Sequence, residues 1–476
     1  MAAIGASGTE QWSSRFAFIM AAVGSSVGLG NLWRFSSEAG QNGGGLFILI
    51  YLGAVLFVCI PVLMSEYMVG RSGPDANAIS SIGDVARRSD VSGSWKVAGW
   101  VGMIAGFLIV TFYCVIAGWV LRYVVTSLTG GFNGLSPEAL GEDFGNFVFS
   151  PLRVLPWFLV FAGLTTYLVS RGVNQGIELA AKILMPLFFL ILAGLAIFAI
   201  VSNLGNGGTA QALEFLYQPR LFEDKLDPAT GEMVRQATLS GGVASAALGQ
   251  AFFSVGVGSA IMITYGSYIP RGVSLPKSAL LVGIIDTLVA LIAGLAIFPI
   301  VFGTGQAAGA GPGLLFVTLP NAFNSMGVIG PVIGAAFFFL AFFAAITSSV
   351  SLLEPSVAYV SEKFSLRKSL AAWIMGGVMT AIGLISVFGI GENDDGDMDT
   401  LALNAIDSFT GQVMLPLAGL LVVLFVGWRM NRAIIEGEIV GDETLGRVVL
   451  FFVRYVAPVF VAIVLAVSVR NTYFAG

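Results

Sequence analysis

Histidine is absent from the 476 residues, and cysteine occurs only at Cys59 and Cys114. Without histidine there are no imidazole proton relays and no His-ligated zinc. Two cysteines, both inside apolar runs, provide neither a disulfide framework nor a metal-binding spacing. Charge is scarce too: 11% of residues are charged against 56% hydrophobic, and the mean hydropathy is +0.88. Soluble domains carry about 25% charged residues. So few charges cannot cover a water-exposed fold of this length, so most of the surface faces lipid. No Gly-x-x-x-x-Gly-Lys-[Ser/Thr] loop occurs, which argues against an ATP-driven pump, and there is no Asn-x-[Ser/Thr] acceptor. The net charge of −5 is spread over loops and says little about partners.

What the chain has is apolar runs long enough to cross a bilayer, which takes about 20 residues. Eleven are read, at residues 16–38, 46–69, 97–128, 152–170, 175–202, 242–268, 276–303, 330–362, 369–390, 402–428 and 448–469. The first is read as a retained span and not a cleaved signal, because Asn31 and Arg34 interrupt it. Alternate loops are basic: Arg71, Arg87, Arg88 and Lys96; Arg171; Arg271 and Lys277; Lys363, Arg367 and Lys368; Arg429, Arg432 and Arg447. The intervening loops are acidic or nearly uncharged, as at Glu138-Glu142-Asp143 and Glu392-Asp394-Asp395-Asp397-Asp399. Basic loops stay cytoplasmic, so the N terminus is expected in the cytoplasm and the C terminus outside, in a plasma (inner) membrane.

Two spans are interrupted by small residues. The first carries Gly24-Ser25-Ser26-Val27-Gly28-Leu29-Gly30-Asn31 at its middle, and the sixth carries Ser254-Val255-Gly256-Val257-Gly258-Ser259. Glycine costs a helix roughly 1 kcal/mol relative to alanine, and serine competes for backbone bonds. Either span alone reads equally well as a close-packing face of small residues. As a pair they are more informative, since each opens a block of five spans and an odd number turns the second block over. That is the plan of an inverted-repeat secondary transporter with its site at the broken helices. The fold class expected is therefore all-α membrane: eleven transmembrane helices in a five-plus-five inverted repeat, plus one extra helix. The chain divides into a cytoplasmic segment 1–15, a first repeat 16–202, an extracellular connection 203–241, a second repeat 242–428, and a connection with the last helix, 429–476. An unusually apolar stretch at 304–329, with Gly311-Pro312-Gly313 and Pro320, reads as a re-entrant or lid-like segment.

The motifs Gln11-Trp12, Gly28-Leu29-Gly30-Asn31-Leu32-Trp33-Arg34-Phe35, Asn42-Gly43-Gly44-Gly45, Pro61 to Arg71 with Glu66, Gly249-Gln250-Ala251-Phe252-Phe253-Ser254, Thr264-Tyr265 and Thr347-Ser348-Ser349 follow one another along nearly the whole chain. In them the sequence resembles the neurotransmitter:sodium symporters, in particular the eleven-span bacterial members that include the leucine transporter. That transporter is itself one of the folds from which the broken-helix rule is drawn. The resemblance implies sodium-coupled symport of an amino acid by alternating access, with Na+ at two sites and no enzyme activity. One sodium would lie on the carbonyls of Gly24, Val27 and Ala344 and the hydroxyls of Thr347 and Ser348. On the residues alone, both hydroxyls read better as bonded to the preceding turn of their own helix. The second sodium would be held by Ser26, Asn31, Ser254 and Asp286 together with the substrate's own carboxylate. The family usually has asparagine at the position of Asp286, and its animal members add a chloride. A permanent carboxylate here implies chloride-independent transport.

By the same resemblance the substrate carboxylate would meet Gly30 and Tyr113, and Gly28 leaves empty the place where amine carriers hold an aspartate. The side-chain pocket would be Leu29, Ile109, Phe253, Gly256, Ser259, Ser348 and Leu352. The small Gly256 and Ser259 make room for a bulky hydrophobic or aromatic side chain, unless Met262 or Phe252 refills it. Arg34 and Asp407 match an outer gate. Glu66, with Gln250 as neighbour, would brace the first helix, the favoured role, or exchange protons with the inward side. The arginine that usually latches the inner gate three residues before Trp12 is replaced by Thr9, and its acidic partner would correspond to Glu362. Glu38 is an extra acid, read as solvated. A proton-coupled carrier of the same fold, a nutrient receptor that binds without efficient transport, and an intramembrane enzyme are the rival readings. The pair Thr347-Ser348 favours sodium over protons, and no catalytic constellation supports the enzyme.

Overall fold

The computed structural model describes residues 11–226, 233–306, 313–392, 398–399, 401–439 and 442–473. Thr9, Gly311-Pro312 and the acids Asp394, Asp395 and Asp397 lie outside them. The helices in chain order are α1 (Arg15–Ser26), α2 (Gly30–Gln41), α3 (Gly45–Ser72), α4 (Ala78–Arg88), α5 (Gly93–Leu128), α6 (Pro137–Val148), α7 (Pro151–Ser170), α8 (Val173–Ser202) and α9 (Gly208–Tyr217). They continue as α10 (Gly241–Val255), α11 (Ile261–Ser267), α12 (Leu275–Gly303), α13 (Leu314–Asn324), α14 (Gly327–Lys363), α15 (Lys368–Phe388), α16 (Leu403–Trp428), α17 (Arg432–Glu438) and α18 (Glu443–Arg470). Among the described residues nine of these are long and apolar enough to cross a bilayer, and α1 with α2 makes a tenth if the bent pair counts as one. The read span 242–268 is α10 and α11, each too short to cross alone. Two antiparallel pairs of short strands, Phe222–Leu226 with Met233–Ala237 and Gly391–Glu392 with Met398–Asp399, complete the connections.

Both interruptions fall where the small residues cluster. Ser14 caps α1 by accepting the Ala17 N–H at 3.1 Å, and the helix runs through Ser26 before Val27 turns to an extended ψ of 105°. Asn31 then accepts the Gly28 N–H on Oδ1 at 3.0 Å, offering the backbone a side-chain partner in place of a helical one. The helix resumes as α2 through a wide π turn at Gly30–Arg34, bent 51° from α1. In the other pair, α10 ends at Gly256 with φ +74, and Gly258 follows at φ +80. Both lie in the left-handed region that glycine enters without strain. Gly258 has a second constraint, because a Cβ there would stand 2.2 Å from the Leu415 carbonyl oxygen. Irregular backbone at membrane depth is tolerated only inside protein. Here it is buried, with Val27, Gly28, Val257 and Gly258 all enclosed.

Around the breaks, α5 and α14 pack along one another and α14 also meets α1. Trp119, Tyr51, Tyr67 and Tyr123 are among the large side chains sealed inside, while Leu152, Leu190, Ile197 and Val332 stay exposed on the outer faces of α7, α8 and α14. That belt is the lipid-facing surface the low charge requires. The apolar stretch 304–329 contains α13, which turns Leu314, Leu315 and Phe316 inward. Tyr123 donates to the Phe316 carbonyl at 2.9 Å.

Candidate functional site

Asp286, on α12, lies fully buried beside both breaks. Its Oδ1 accepts from Asn31 Nδ2 at 2.8 Å, and its Oδ2 accepts from Ser254 at 2.7 Å and Tyr51 at 3.4 Å. Asn31 also reaches Ser254 Oγ at 2.9 Å. The carboxylate therefore gathers α2, α3, α10 and α12 at one point. All three partners are neutral, and no described ion pair uses Asp286. A buried carboxylate without a cation is costly, and the described residues supply no cation to Asp286. Ser26 stands apart from this cluster and donates to the Val255 carbonyl at 2.9 Å, tying the first break to the second. Sequence reasoning missed Tyr51, because an aromatic residue mid-span carries no signal beyond packing.

The other oxygen group lies where α14 crosses the first break. Ser348 Oγ stands 3.5 Å from the Gly24 carbonyl and 3.3 Å from those of Ser25 and Val27. Thr347 bonds back to its own helix, to Phe343 at 3.0 Å and Ala344 at 3.2 Å. The two hydroxyls thus divide: Thr347 back-bonds, whereas Ser348 crosses to the broken helix. Gly24, Val27, Ala344, Thr347 and Ser348 are buried. Together they form a set of hard oxygen donors suited to an alkali cation.

Between these groups lies a cavity of about 40 Å³ whose walls include Gly30, Ile109, Tyr113, Gly256, Ser259 and Leu352. Phe253 and Ser348 also line it, while Leu29 lines the vestibule above. At one probe volume of about 10–15 Å³ per water, it holds about three waters and no large side chain without movement. The place beside Gly28 is not empty: a Cβ there would meet Ser348 Oγ at 2.7 Å and the Tyr113 hydroxyl at 3.2 Å. Tyr113 already accepts the Leu29 N–H at 3.2 Å. Open space lies instead at Gly256, which has no heavy atom within 4 Å of an ideal Cβ. Met262 does not refill it, since its sulfur accepts from Tyr67 at 3.6 Å, and Phe252 packs on Gly419.

Phe253 separates this cavity from a vestibule of about 480 Å³ lined by Trp33, Arg34, Trp119 and Asp407. Arg34 lies 4.5 Å over the Phe253 ring and 3.8 Å from Asp407, too long for a good hydrogen bond. Glu38 is not simply solvated: it stands 4.0 Å from Arg34 and accepts from Asn42 at 3.1 Å. The arginine is thus shared between two acids.

The opposite end is closed more tightly. Trp12 is buried, donating from Nε1 to the Tyr265 carbonyl at 3.2 Å and from its amide to Tyr268 at 3.1 Å. Ser13 gives its N–H to Glu178 at 3.0 Å and its hydroxyl to the same carboxylate, which Lys182 also holds at 2.5 Å. Glu354 joins Tyr268 at 2.8 Å and Lys368 at 2.6 Å. Glu178, Lys182 and Glu354 carry no signal in the sequence, and Lys368 reads there only as a basic loop residue. Glu362 is not placed on that latch: its described partner is the Ala76 N–H at 3.0 Å, so it braces the turn after α3. The bracing of the breaks is also exchanged. Glu66 accepts the Gly258 N–H at 2.9 Å, bracing the second break, and Gln250 donates to the Gly30 carbonyl at 2.9 Å, bracing the first. Each reaches the other break because α3 runs beside α11 and α10 beside α2.

The model of the sodium:neurotransmitter symporter family matches residues 9–134 and 153–474. The sodium-dependent transporter YhdH of Bacillus subtilis (strain 168) is 33% identical over 459 residues, covering 95% of this chain and 96% of its own. A sodium-dependent transporter of Haemophilus influenzae is 28% identical over 477 residues, with 98% of both chains covered. Among solved structures, that of MhsT in complex with L-phenylalanine superimposes with a TM-score of 0.85 at 38% identity, over 97% of this chain and 100% of that one. Matched over nearly its whole length by the family model and by these relatives, the chain belongs to the sodium:neurotransmitter symporter family, and its family and fold are those of a sodium-dependent transporter.

Proposed function

We propose that the chain carries a bulky hydrophobic or aromatic amino acid into the cell together with sodium, by alternating access and without chloride. The observation that carries this reading is Asp286, a buried carboxylate held by neutral groups at the meeting of both breaks. A sodium ion there is neutralised by the protein itself, which removes the need for an external anion. The second ion sits on the oxygens around Ser348, and the substrate carboxylate adds to the shell near Asp286, at Gly30 and Tyr113. The open space at Gly256 and the complex of MhsT with L-phenylalanine both support a bulky side chain. In this reading the eleven spans form two inverted five-helix blocks, 16–202 and 242–428, followed by α18. The basic end is cytoplasmic, Arg34 and Asp407 face outward, and the Trp12 and Glu178 latch closes the inner side.

Each sodium entering down ~100 mV supplies about 2.3 kcal/mol, and a tenfold gradient adds about 1.4 kcal/mol. Two ions then support accumulation by about five powers of ten. Labelled uptake of the twenty amino acids into proteoliposomes, with sodium or potassium outside, tests the proposal. Sodium-dependent uptake that survives replacement of chloride by gluconate is expected. Uptake driven by a proton gradient in potassium, or binding without counterflow, overturns it. Competition by tryptophan weaker than by alanine overturns the bulky preference.

A further inference from the structure

A third cavity, of about 640 Å³, lies far along the chain from these oxygens, between α17 and the first turns of α18. Arg432 faces it from α17, and Arg447 and Arg454 face it from α18. Seven residues are about two turns, so the latter pair shares one face of the helix. Arg454 stands about 16 Å into α18, inside the apolar run that begins at residue 448. Its Nε donates to the Gly427 carbonyl at 2.9 Å, and no described bond uses its terminal nitrogens. Arg447 gives its Nε to the Glu443 carbonyl at 3.3 Å. Glu436 and Glu443 also line the cavity, yet no described ion pair joins either acid to the three arginines. An arginine within a span calls for partners, and beyond the Gly427 carbonyl the described residues supply Arg454 with no acid and no bond to its terminal nitrogens.

The surface leading from the arginines is apolar. Val448, Phe451, Tyr455 and Val459 follow at steps of three and four residues and are each 50–54% exposed, forming one lipid-facing stripe. We propose that this cavity binds an anionic glycerophospholipid, with its phosphate and headgroup on Arg432, Arg447 and Arg454 and an acyl chain along Phe451 and Tyr455. Guanidinium matches phosphate oxygens in a planar fork, and basic pockets between spans are where anionic headgroups settle. A zwitterionic lipid would bring its ammonium to three arginines, and a free anion would leave the stripe unused.

Native mass spectrometry of the full chain in detergent, with added phosphatidylglycerol, phosphatidylcholine or inorganic phosphate, reads the occupant directly. Phosphatidylglycerol is expected to give a retained adduct, and the double variant Arg432→Gln with Arg447→Gln should hold it roughly thirtyfold more weakly. Arg454 is left intact there because its bond to Gly427 holds α18 to α16. The thermal midpoint of the lipid-free double variant is measured alongside, and an unchanged value assigns the loss to the headgroup contacts. Equal retention of phosphatidylcholine, a phosphate adduct that displaces the lipid, a lipid-free dimer masking the face, or an unchanged lipid adduct in the double variant would each overturn the proposal.

Discussion

Replacing Asp286 by asparagine separates the cation's contribution from that of the hydrogen bonds. The substitution keeps the size and one acceptor, so the contacts to Asn31 at 2.8 Å and Ser254 at 2.7 Å can re-form through a neutral amide. Without sodium the wild-type protein buries a negative charge that no described cation offsets, so the variant should be at least as stable as wild type in potassium. With sodium the sign reverses. A unit charge at 4 Å from another gains about 4 kcal/mol at an effective dielectric constant of 20, which sets a scale near a thousandfold for the loss of sodium affinity. Relaxation reduces this, and a loss of at least tenfold is expected. A ligand at a hundred times its Kd stabilises by about 2.7 kcal/mol, and a thousandfold loss of affinity would erase nearly all of it. Thermal unfolding of the purified protein across a sodium titration, at constant ionic strength in potassium, measures both signs. If the midpoint in potassium falls while the sodium-induced shift persists, with the same concentration dependence as wild type, Asp286 is a structural acid and the reasoning fails.

Gly28→Ala pushes a methyl to within 2.7 Å of Ser348 Oγ, so Ser348 must turn away from Val27. Uptake should fall at least tenfold while gel-filtration profiles stay normal. Gly258→Ala puts a side chain at φ +80 and 2.2 Å from the Leu415 oxygen, combining about 1–2 kcal/mol of left-handed strain with overpacking of about 1–3 kcal/mol. The yield of monodisperse protein should collapse, and wild-type yield would refute the close approach. Glu178→Gln removes the charge that holds Ser13 and Lys182. Bonds to charged groups contribute about 1.5–3 kcal/mol, so exchange of the Ser13 amide should quicken ten- to hundredfold.

The parts of the site that composition makes visible are those where a residue is out of place in hydrocarbon. Gly28, Gly256 and Gly258 stand out as glycines at mid-span, Asp286 as a buried acid, and Ser348 as one of three adjacent hydroxyls. Their positions could be read one at a time. What could not be read is which faces meet. Glu66 bonds a backbone 192 residues away and Gln250 one 220 residues away, and no local pattern records such partners. Exchanging the two braces would leave every helix signal unchanged. Glu178 with Lys182 reads locally as an ordinary pair one turn apart. Only the position of Ser13 turns it into a latch. Glu38 looked solvated for the same reason, because its neighbours Arg34 and Asn42 depend on how α2 tilts after the break.

The cross-bracing of the two breaks has a consequence for how the molecule comes to exist. When residues 15–41 first enter the bilayer, the carbonyl of Gly30 and the hydroxyl of Ser26 have only local partners, the Phe35 N–H and the Ala22 carbonyl, since Gln250 and the Val255 carbonyl are still to be synthesised. More than two hundred residues must emerge before that polar backbone is enclosed. Until then the opening break is held by local bonds alone, and a chain cut short before residue 241 would lack both of its long-range braces.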